Sequence, residues 1–186
     1  MGPLLLLLVS LLQPARAAES QALPSRDANA YTLGVRGTYF VPADAERGTW
    51  GPGVQARYFL NPRWAVEVAG DYMRQEFKDT TAHTAAAQLS LVALFGPDRM
   101  KGLLLAGGGF YATRVNGPSY RRNIAGFGPH AGVGVELRLT PVWSVDTTYR
   151  RVWLADLESR DASTGAPRSF ARSGDQISLG LNRLFR

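Results

Sequence analysis

Hydrophobic positions alternate with polar or small positions from Phe127 to Leu139 almost without interruption. Every second residue, including Val133 and Val135, is apolar, whereas the residues between them are glycine, His130 or charged. Successive side chains of a β-strand point to opposite sides of the sheet. The segment is therefore predicted to be a strand with one oily face and one face that is small, polar and crowded.

The same alternation recurs along the chain and divides it into eight predicted strands. These strands cover residues 30–41, 51–60, 63–73, 84–95, 102–112, 127–139, 142–153 and 176–185. In the strand at 102–112 both faces are apolar or small, so its alternation is weaker than that of the others.

Short and long connections alternate between these strands. The short connections lie at 61–63, 96–101 and 140–141, and the longer ones at 42–50, 74–83, 113–126 and 154–175. An even number of strands of about ten residues, joined in this way, is typical of barrels that cross a bacterial outer membrane. The predicted fold class is all-β: an eight-stranded antiparallel up-and-down transmembrane β-barrel with its termini and short turns on the periplasmic side. The last loop is expected to be the most mobile.

The distribution of charge indicates which face points inward. On the apolar faces only Arg151 and Arg183 are charged, and both lie near predicted strand ends, where an outward charge costs least in a bilayer. The polar faces carry four arginines and four carboxylates among many small residues, as a narrow lumen with paired charges would require. The predicted lumen charge network consists of Arg36, Arg57, Glu67, Asp71, Glu136, Arg138, Asp146 and Arg150. A soluble barrel of the lipocalin type, with its oily face inward, stays open as an alternative.

Aromatic residues near strand ends predict girdles at the membrane–water interfaces. Residues 60–67 repeat the pattern of residues 139–146: a strand end, a proline turn, an outward tryptophan and an inward acid. The tryptophans of this repeat, Trp64 and Trp143, are expected at the membrane–water interface. The outer girdle is expected to contain Tyr72, Tyr111, Tyr149 and Trp153.

The first residues have the features of a secretory signal peptide. Residues 4–12 are apolar apart from Ser10, and residues 15–17 provide a small-x-small cleavage site. We expect a signal peptide at 1–17, a short periplasmic segment at 18–29 and the barrel at 30–186. The chain contains no cysteine (Cys 0), so an exported protein of this sequence must obtain its rigidity from barrel closure rather than from disulfides.

The chain is basic, with a formal net charge of +6. Its basic residues are scattered over loops and strand interiors rather than gathered on one stripe, so no nucleic-acid partner is expected. Outer-membrane lipids and anionic lipopolysaccharide are the expected neighbours.

His130 is the residue that most invites an enzymatic interpretation. Some outer-membrane barrels that deacylate lipid A use a histidine and a serine two residues apart, but here Gly132 stands in that position. His130 also lies on the predicted lumen face, whereas attack on a lipid requires an outward group. The other histidine, His83, has no matching cluster, and the chain offers no metal-ligand spacing. No catalytic residue, metal or cofactor is expected.

The segment Leu139–Arg150 and the C-terminal strand resemble the small eight-stranded outer-membrane β-barrel family, and are similar to the transmembrane domain of outer-membrane protein A. In that family a polar residue, a glycine two positions later and a final aromatic form the insertion signal that the barrel-assembly machinery recognises. The residues in those places are Ser178, Gly180 and Phe185. Arg183, where a hydrophobic residue is usual, and Arg186, after the aromatic, depart from the pattern. The resemblance implies that the protein is located in the outer membrane of a Gram-negative bacterium.

These observations predict a non-enzymatic, monomeric integral outer-membrane barrel with an envelope-structural or surface-interaction role. Its lumen is expected to be plugged by side chains, because an eight-stranded barrel is just wide enough for side chains to fill. Two alternatives stay open: a narrow pore or binding barrel for small polar or hydrophobic molecules, and a soluble periplasmic lipocalin-like carrier.

Overall fold

Eight antiparallel strands close into a barrel in the computed structural model, which describes residues 28–43, 48–77, 80–116, 121–154, 157–160, 167–170 and 173–186. The strands are β1 (Tyr31–Pro42), β2 (Thr49–Asn61), β3 (Trp64–Phe77), β4 (Thr80–Phe95), β5 (Met100–Asn116), β6 (Arg121–Arg138), β7 (Trp143–Val152), β8 (Leu157–Arg160), β9 (Pro167–Phe170) and β10 (Gly174–Phe185). Around the barrel the order is β1-β10-β7-β6-β5-β4-β3-β2, while β8 and β9 form a separate hairpin. The predicted fold class is confirmed. The predicted signal peptide lies outside the described residues.

Several barrel strands are longer than the alternation suggested. β3 and β4 pair as far as Phe77 with Thr80, so most of the loop predicted at 74–83 is strand. β5 and β6 pair as far as Asn116 with Arg121, inside the loop predicted at 113–126. The pattern fades there because the outward positions of this section, such as Arg74 and Arg114, are no longer apolar, although the backbone pairing continues.

The predicted loop at 154–175 also contains structure that the sequence analysis missed. Leu157 pairs with Phe170 and Arg160 pairs with Pro167, which makes a short hairpin of four residues on each side. Segments this short carry too few positions for an apolar–polar alternation to be recognised.

Two short turns explain the repeated proline pattern in the sequence. The side chain of Asn61 accepts hydrogen bonds from the backbone amides two and three residues later, at 2.8 and 3.0 Å. The Thr140 hydroxyl accepts the equivalent pair at 3.3 and 3.0 Å. In both turns a side-chain oxygen holds the chain reversal, and the next strand begins with an outward tryptophan.

The outward side chains of the barrel strands are mainly apolar, and most of the described charged side chains on these strands point inward and are buried. Val133, Val135 and Leu137 are 52%, 44% and 42% exposed, while His130 and Glu136 on the other face of β6 are buried. This orientation excludes the soluble lipocalin-type alternative, in which the oily face would point inward. In the part of the chain that the structure describes, no helix is long and apolar enough to span a membrane.

Two clusters of buried apolar side chains lie toward the two ends of the lumen. The mouth of the barrel that holds the three short connections, where β10 also finishes, is called the short-turn end. The opposite mouth is called the long-loop end. The short-turn cluster consists of Ala30, Phe59, Ala65, Val92, Leu94, Leu103, Leu105 and Leu184. The long-loop cluster consists of Phe40, Met73, Ala86, Tyr111, Val152 and Leu154. The polar interior therefore lies between two apolar layers, which the sequence analysis did not anticipate.

Candidate functional site: the charged lumen

Arg57, on β2, binds three of the four carboxylates predicted to face the lumen. Its Nε and Nη2 donate to Glu67 Oε2 at 3.1 and 2.6 Å. The same guanidinium donates to Glu136 Oε2 and Asp146 Oδ2, each at 3.1 Å. One cation is thus shared by acids from β3, β6 and β7.

Arg36 and Arg150 form a second group around Gln88. Arg36 makes a two-bond contact with Asp71, in which Nε donates to Oδ1 at 2.8 Å and Nη2 donates to Oδ2. Gln88 Oε1 accepts from Arg36 Nη2 at 3.0 Å and from Arg150 Nη1 at 2.9 Å. Arg150 also donates to Glu67 Oε1, which links this group to Arg57.

Several of these contacts cross the whole barrel. In the closed strand order, β2 stands opposite β6, β3 opposite β7, and β4 opposite β10. One contact joins each opposed pair, and the three are Arg57–Glu136, Glu67–Arg150 and Gln88–Gln176. All six side chains are buried. Side chains of opposite walls therefore meet in the lumen.

The structure brings seven of the eight predicted lumen residues into these contacts: Arg36, Arg57, Glu67, Asp71, Glu136, Asp146 and Arg150. The eighth, Arg138, is also buried but lies at the short-turn end, where its Nη2 donates to the Pro141 carbonyl at 3.3 Å.

Neutral polar side chains complete the network, and the sequence analysis did not include them in the site. Gln55 Nε2 donates to Asn182 Oδ1 at 2.7 Å, and Asn182 Nδ2 donates to Asp146 Oδ2 at 3.1 Å. The Thr38 hydroxyl donates to Asp71 Oδ1 at 2.8 Å. Each of these neutral residues occupies an inward position of its strand, and the alternation already indicated those positions. They were overlooked because the site residues were selected by charge alone.

Five of the six predicted interface aromatics are exposed on the outer surface. They are Trp64, Trp143, Tyr72, Tyr149 and Trp153. The prediction for Tyr111 is wrong, because this residue is 2% exposed and lies inside, where its hydroxyl accepts a hydrogen bond from Gln88 Nε2 at 2.8 Å. β5 is apolar on both faces, and its outer face is the one that carries Leu104 and Phe110.

The three residues of the predicted insertion signal all lie on β10. Ser178 and Gly180 are buried on its inner face. Phe185 ends the strand and stacks on Tyr31, with ring centroids 5.2 Å apart and an interplanar angle of 9°. The structure thus places Ser178 and Gly180 inside the barrel and Phe185 at the end of the strand, and their role as an insertion signal stays a prediction.

The two charged residues predicted on the outer faces have partners near strand ends. The Arg183 guanidinium lies 5.2 Å from the Phe185 ring centroid and 6.0 Å from the Trp143 ring centroid, within cation–π range. Arg151 Nη1 pairs with Asp175 Oδ2 at 2.8 Å. These partners show how an outward charge is accommodated beside an apolar surface.

The two histidines occupy very different places. His130 is buried in the lumen, with Nε2 2.8 Å from the Ser90 hydroxyl. His83 lies on the outer side of β4, and its Nδ1 is hydrogen-bonded to the Tyr72 hydroxyl. Among the described residues, no group of three or more metal-ligating side chains is close enough to hold a metal ion.

An apolar exterior around a charged interior is the arrangement of a barrel that crosses a membrane with its strands. The family model for the outer membrane protein beta-barrel domain matches residues 4–170, and the chain belongs to this family. It is an outer-membrane protein. In such barrels the short turns face the periplasm and the longer loops face outward.

Solved structures share this fold at low sequence identity. The N-terminal β-barrel domain of OprF from Pseudomonas aeruginosa is 14% identical with a TM-score of 0.59, over 86% of this chain and 100% of that chain. Neisserial surface protein A is 14% identical with a TM-score of 0.64, over 84% and 96%. OprG from Pseudomonas aeruginosa is 10% identical with a TM-score of 0.65, over 87% and 98%. A comparison with curated protein sequences found no match.

Proposed function

We propose that this protein is a non-enzymatic outer-membrane barrel whose lumen is closed by its own side chains, and that it serves envelope structure or surface interaction. The observation that supports this most strongly is the contact of Glu67 with Arg150 between opposite walls. Arg150 is 0% exposed, so solvent does not reach this side chain from either mouth of the barrel.

The energetics of the network favour a filled interior over a wet channel. A buried charge is costly unless its partner and its hydrogen bonds are both in place. Arg57 and its three carboxylates meet that requirement through direct protein contacts. In a conducting pore the same groups would be expected to face water and to show an excess of one sign.

The apolar clusters support closure at both ends. Phe59 and Leu103 belong to the short-turn cluster, while Phe40 and Met73 belong to the long-loop cluster. At the long-loop end, an ion would have to leave water for an apolar layer before it met the charged network; at the short-turn end, the buried Arg138 stands at the same end as the apolar cluster. The proposed plug therefore has three layers rather than one.

Planar-bilayer recordings of the purified protein test closure against the narrow-pore alternative. We expect no reproducible single-channel steps from the native protein. The double substitution Glu67→Ala with Arg150→Ala removes two long side chains that meet across the lumen, and we expect it to raise conductance. Large reproducible steps from the native protein would establish the pore and reject the plug.

The proposal that the protein is not an enzyme is supported by the position of His130. This side chain faces the lumen and bonds to Ser90, so it cannot reach a lipid on the outer surface. Mass spectra of lipid A from overexpressing cells should match those of control cells. Loss of an acyl chain that disappears in His130→Ala would overturn this part of the proposal.

We also propose the partners that this location implies. Outer-leaflet lipids and lipopolysaccharide surround the barrel, the assembly machinery recognises the β10 signal, and the folded protein is a monomer. Light scattering in detergent should give the mass of a single chain, and Phe185→Ala should reduce the amount of assembled barrel in cells. A stable dimer would reject the monomeric state. Unchanged assembly of Phe185→Ala would reject the role of the β10 signal.

A further inference from the structure

Three basic residues stand side by side on the outer surface of the barrel, near its long-loop end. Arg74 on β3 pairs with His83 on β4, and His83 pairs with Arg114 on β5. Arg74 and Arg114 are exposed, and His83 is half-buried. Because directly paired residues on adjacent antiparallel strands lie about 4.5–5.5 Å apart at Cα, the three form a continuous basic row. Asn123 on β6, which pairs with Arg114, extends it by one exposed amide.

The row lies directly beyond the apolar surface that faces the membrane. Tyr72 precedes Arg74 by two positions on the same face of β3 and is exposed. Its hydroxyl is hydrogen-bonded to His83 Nδ1. Amphipathic rings of this kind mark the boundary between hydrocarbon and headgroups. The row therefore lies at the level where lipid headgroups begin on the outward side of the membrane.

On the opposite wall of the barrel, a described outward arginine has an acid as its partner. There the outward Arg151 is paired with Asp175, which also accepts a hydrogen bond from Tyr149 at 2.7 Å. On the β3–β5 side, Glu76 follows Arg74 by two positions along β3. The row itself carries two guanidinium groups, those of Arg74 and Arg114, and none of its described residues is acidic.

We propose that this basic row, Arg74, His83 and Arg114, binds the phosphate groups of the outer-leaflet glycolipid, lipid A. The assignment rests on the proposed location of the long-loop end in the outer leaflet. Guanidinium groups donate two parallel hydrogen bonds to phosphate oxygens. When Tyr72 donates to Nδ1 of His83, the ring proton lies on Nε2, where it is available to a third phosphate oxygen.

Titration of the purified barrel in detergent with bisphosphorylated lipid A, followed by native mass spectrometry, tests this site. The double substitution Arg74→Gln with Arg114→Gln should weaken lipid A binding about tenfold, since each lost charged hydrogen bond is a strong one. The matched control, Arg151→Gln with Arg183→Gln, changes the net charge equally at other outward positions and should weaken binding less than twofold. Heat-modifiable gel mobility verifies that both double variants are folded.

Two further measurements identify the chemical group that is bound. Dephosphorylated lipid A should bind the native protein about as weakly as intact lipid A binds the Arg74/Arg114 variant. Millimolar inorganic phosphate should not displace lipid A, because the acyl chains add contacts along the outer surface. If inorganic phosphate displaced lipid A, the ligand of the basic row would be a free anion, and the assignment to lipid A would be rejected.

Equal binding by the native protein and the Arg74/Arg114 variant would overturn the proposal, and so would an equal loss in the control variant. Neither result bears on the closed lumen, which is measured separately as conductance. A conducting native protein with normal lipid A binding would instead reject the plug and leave the basic row in place.

Discussion

Glu67 and Arg150 meet in the middle of the lumen although they are 83 residues apart in the chain and lie on strands that face each other across the barrel. Glu67 also binds Arg57 and lies 3.9 Å from Arg36 Nη1, so one carboxylate serves three arginines. The interior is thus organised around shared acids rather than isolated ion pairs. The loss of one such acid should therefore lower the free energy of unfolding more than the loss of an exposed ion-pair partner.

Glu67→Gln should lower the free energy of unfolding by about 3–5 kcal/mol, because it leaves three buried guanidinium groups without their shared carboxylate. Equilibrium unfolding in urea, with the barrel in lipid vesicles, measures the change. The control is Asp98→Asn, whose carboxylate contacts Lys101 at 3.0 Å in an exposed turn and should contribute about 0–1 kcal/mol. Similar losses in both variants would show that the network contributes no more than a surface pair.

Gly132→Ala should destabilise the barrel by about 1–3 kcal/mol, because a Cβ at this position would press against the Tyr149 carbonyl oxygen of the neighbouring strand. Gly37 provides the matched control, since a Cβ there would meet only the Trp50 ring at 3.9 Å. Gly37→Ala should be neutral or slightly stabilising. The same unfolding measurement compares them, and a neutral Gly132→Ala would contradict the close approach of β6 and β7.

Tyr111→Phe should cost about 1–3 kcal/mol, because it leaves a buried N–H of Gln88 without its acceptor. Tyr149→Phe removes a hydroxyl on the outer surface and should lower the stability less than Tyr111→Phe does. Thermal unfolding of the two variants in the same detergent compares them. If Tyr111 belonged to the outer girdle, the two substitutions would have similar small effects.

The alternation of side chains could predict the barrel and its strands, because a two-residue period separates the two faces of each strand. The placement of the charged residues was needed as well to indicate which face points inward. Phe127–Leu139 shows this most clearly, since its apolar positions are the exposed ones. Where both faces of a strand are apolar, the alternation does not distinguish them. β5 is that case, and its ambiguity led to the error on Tyr111.

Other features depend on information that strand-by-strand patterns do not contain. The contact of Gln88 with Gln176 is set by strand order and register around the closed barrel, which spacing along the chain does not reveal. The row of Arg74, His83 and Arg114 was missed for a different reason. These residues lie beyond the predicted strand ends, where only the extended pairing of β3, β4 and β5 places them side by side.

The central claim is that the apolar face of β6 lies in hydrocarbon while the opposite face packs inside the barrel. The chain has no cysteine (Cys 0), so nitroxide labels can be attached at single cysteines introduced at Val133, Val135 and Leu137. In lipid vesicles, all three labels should collide often with dissolved oxygen and rarely with an aqueous nickel chelate, whereas a label at Asp98 should show the reverse. Labels at the three β6 positions that are relaxed by the nickel chelate, or shielded from both reagents, would contradict the account.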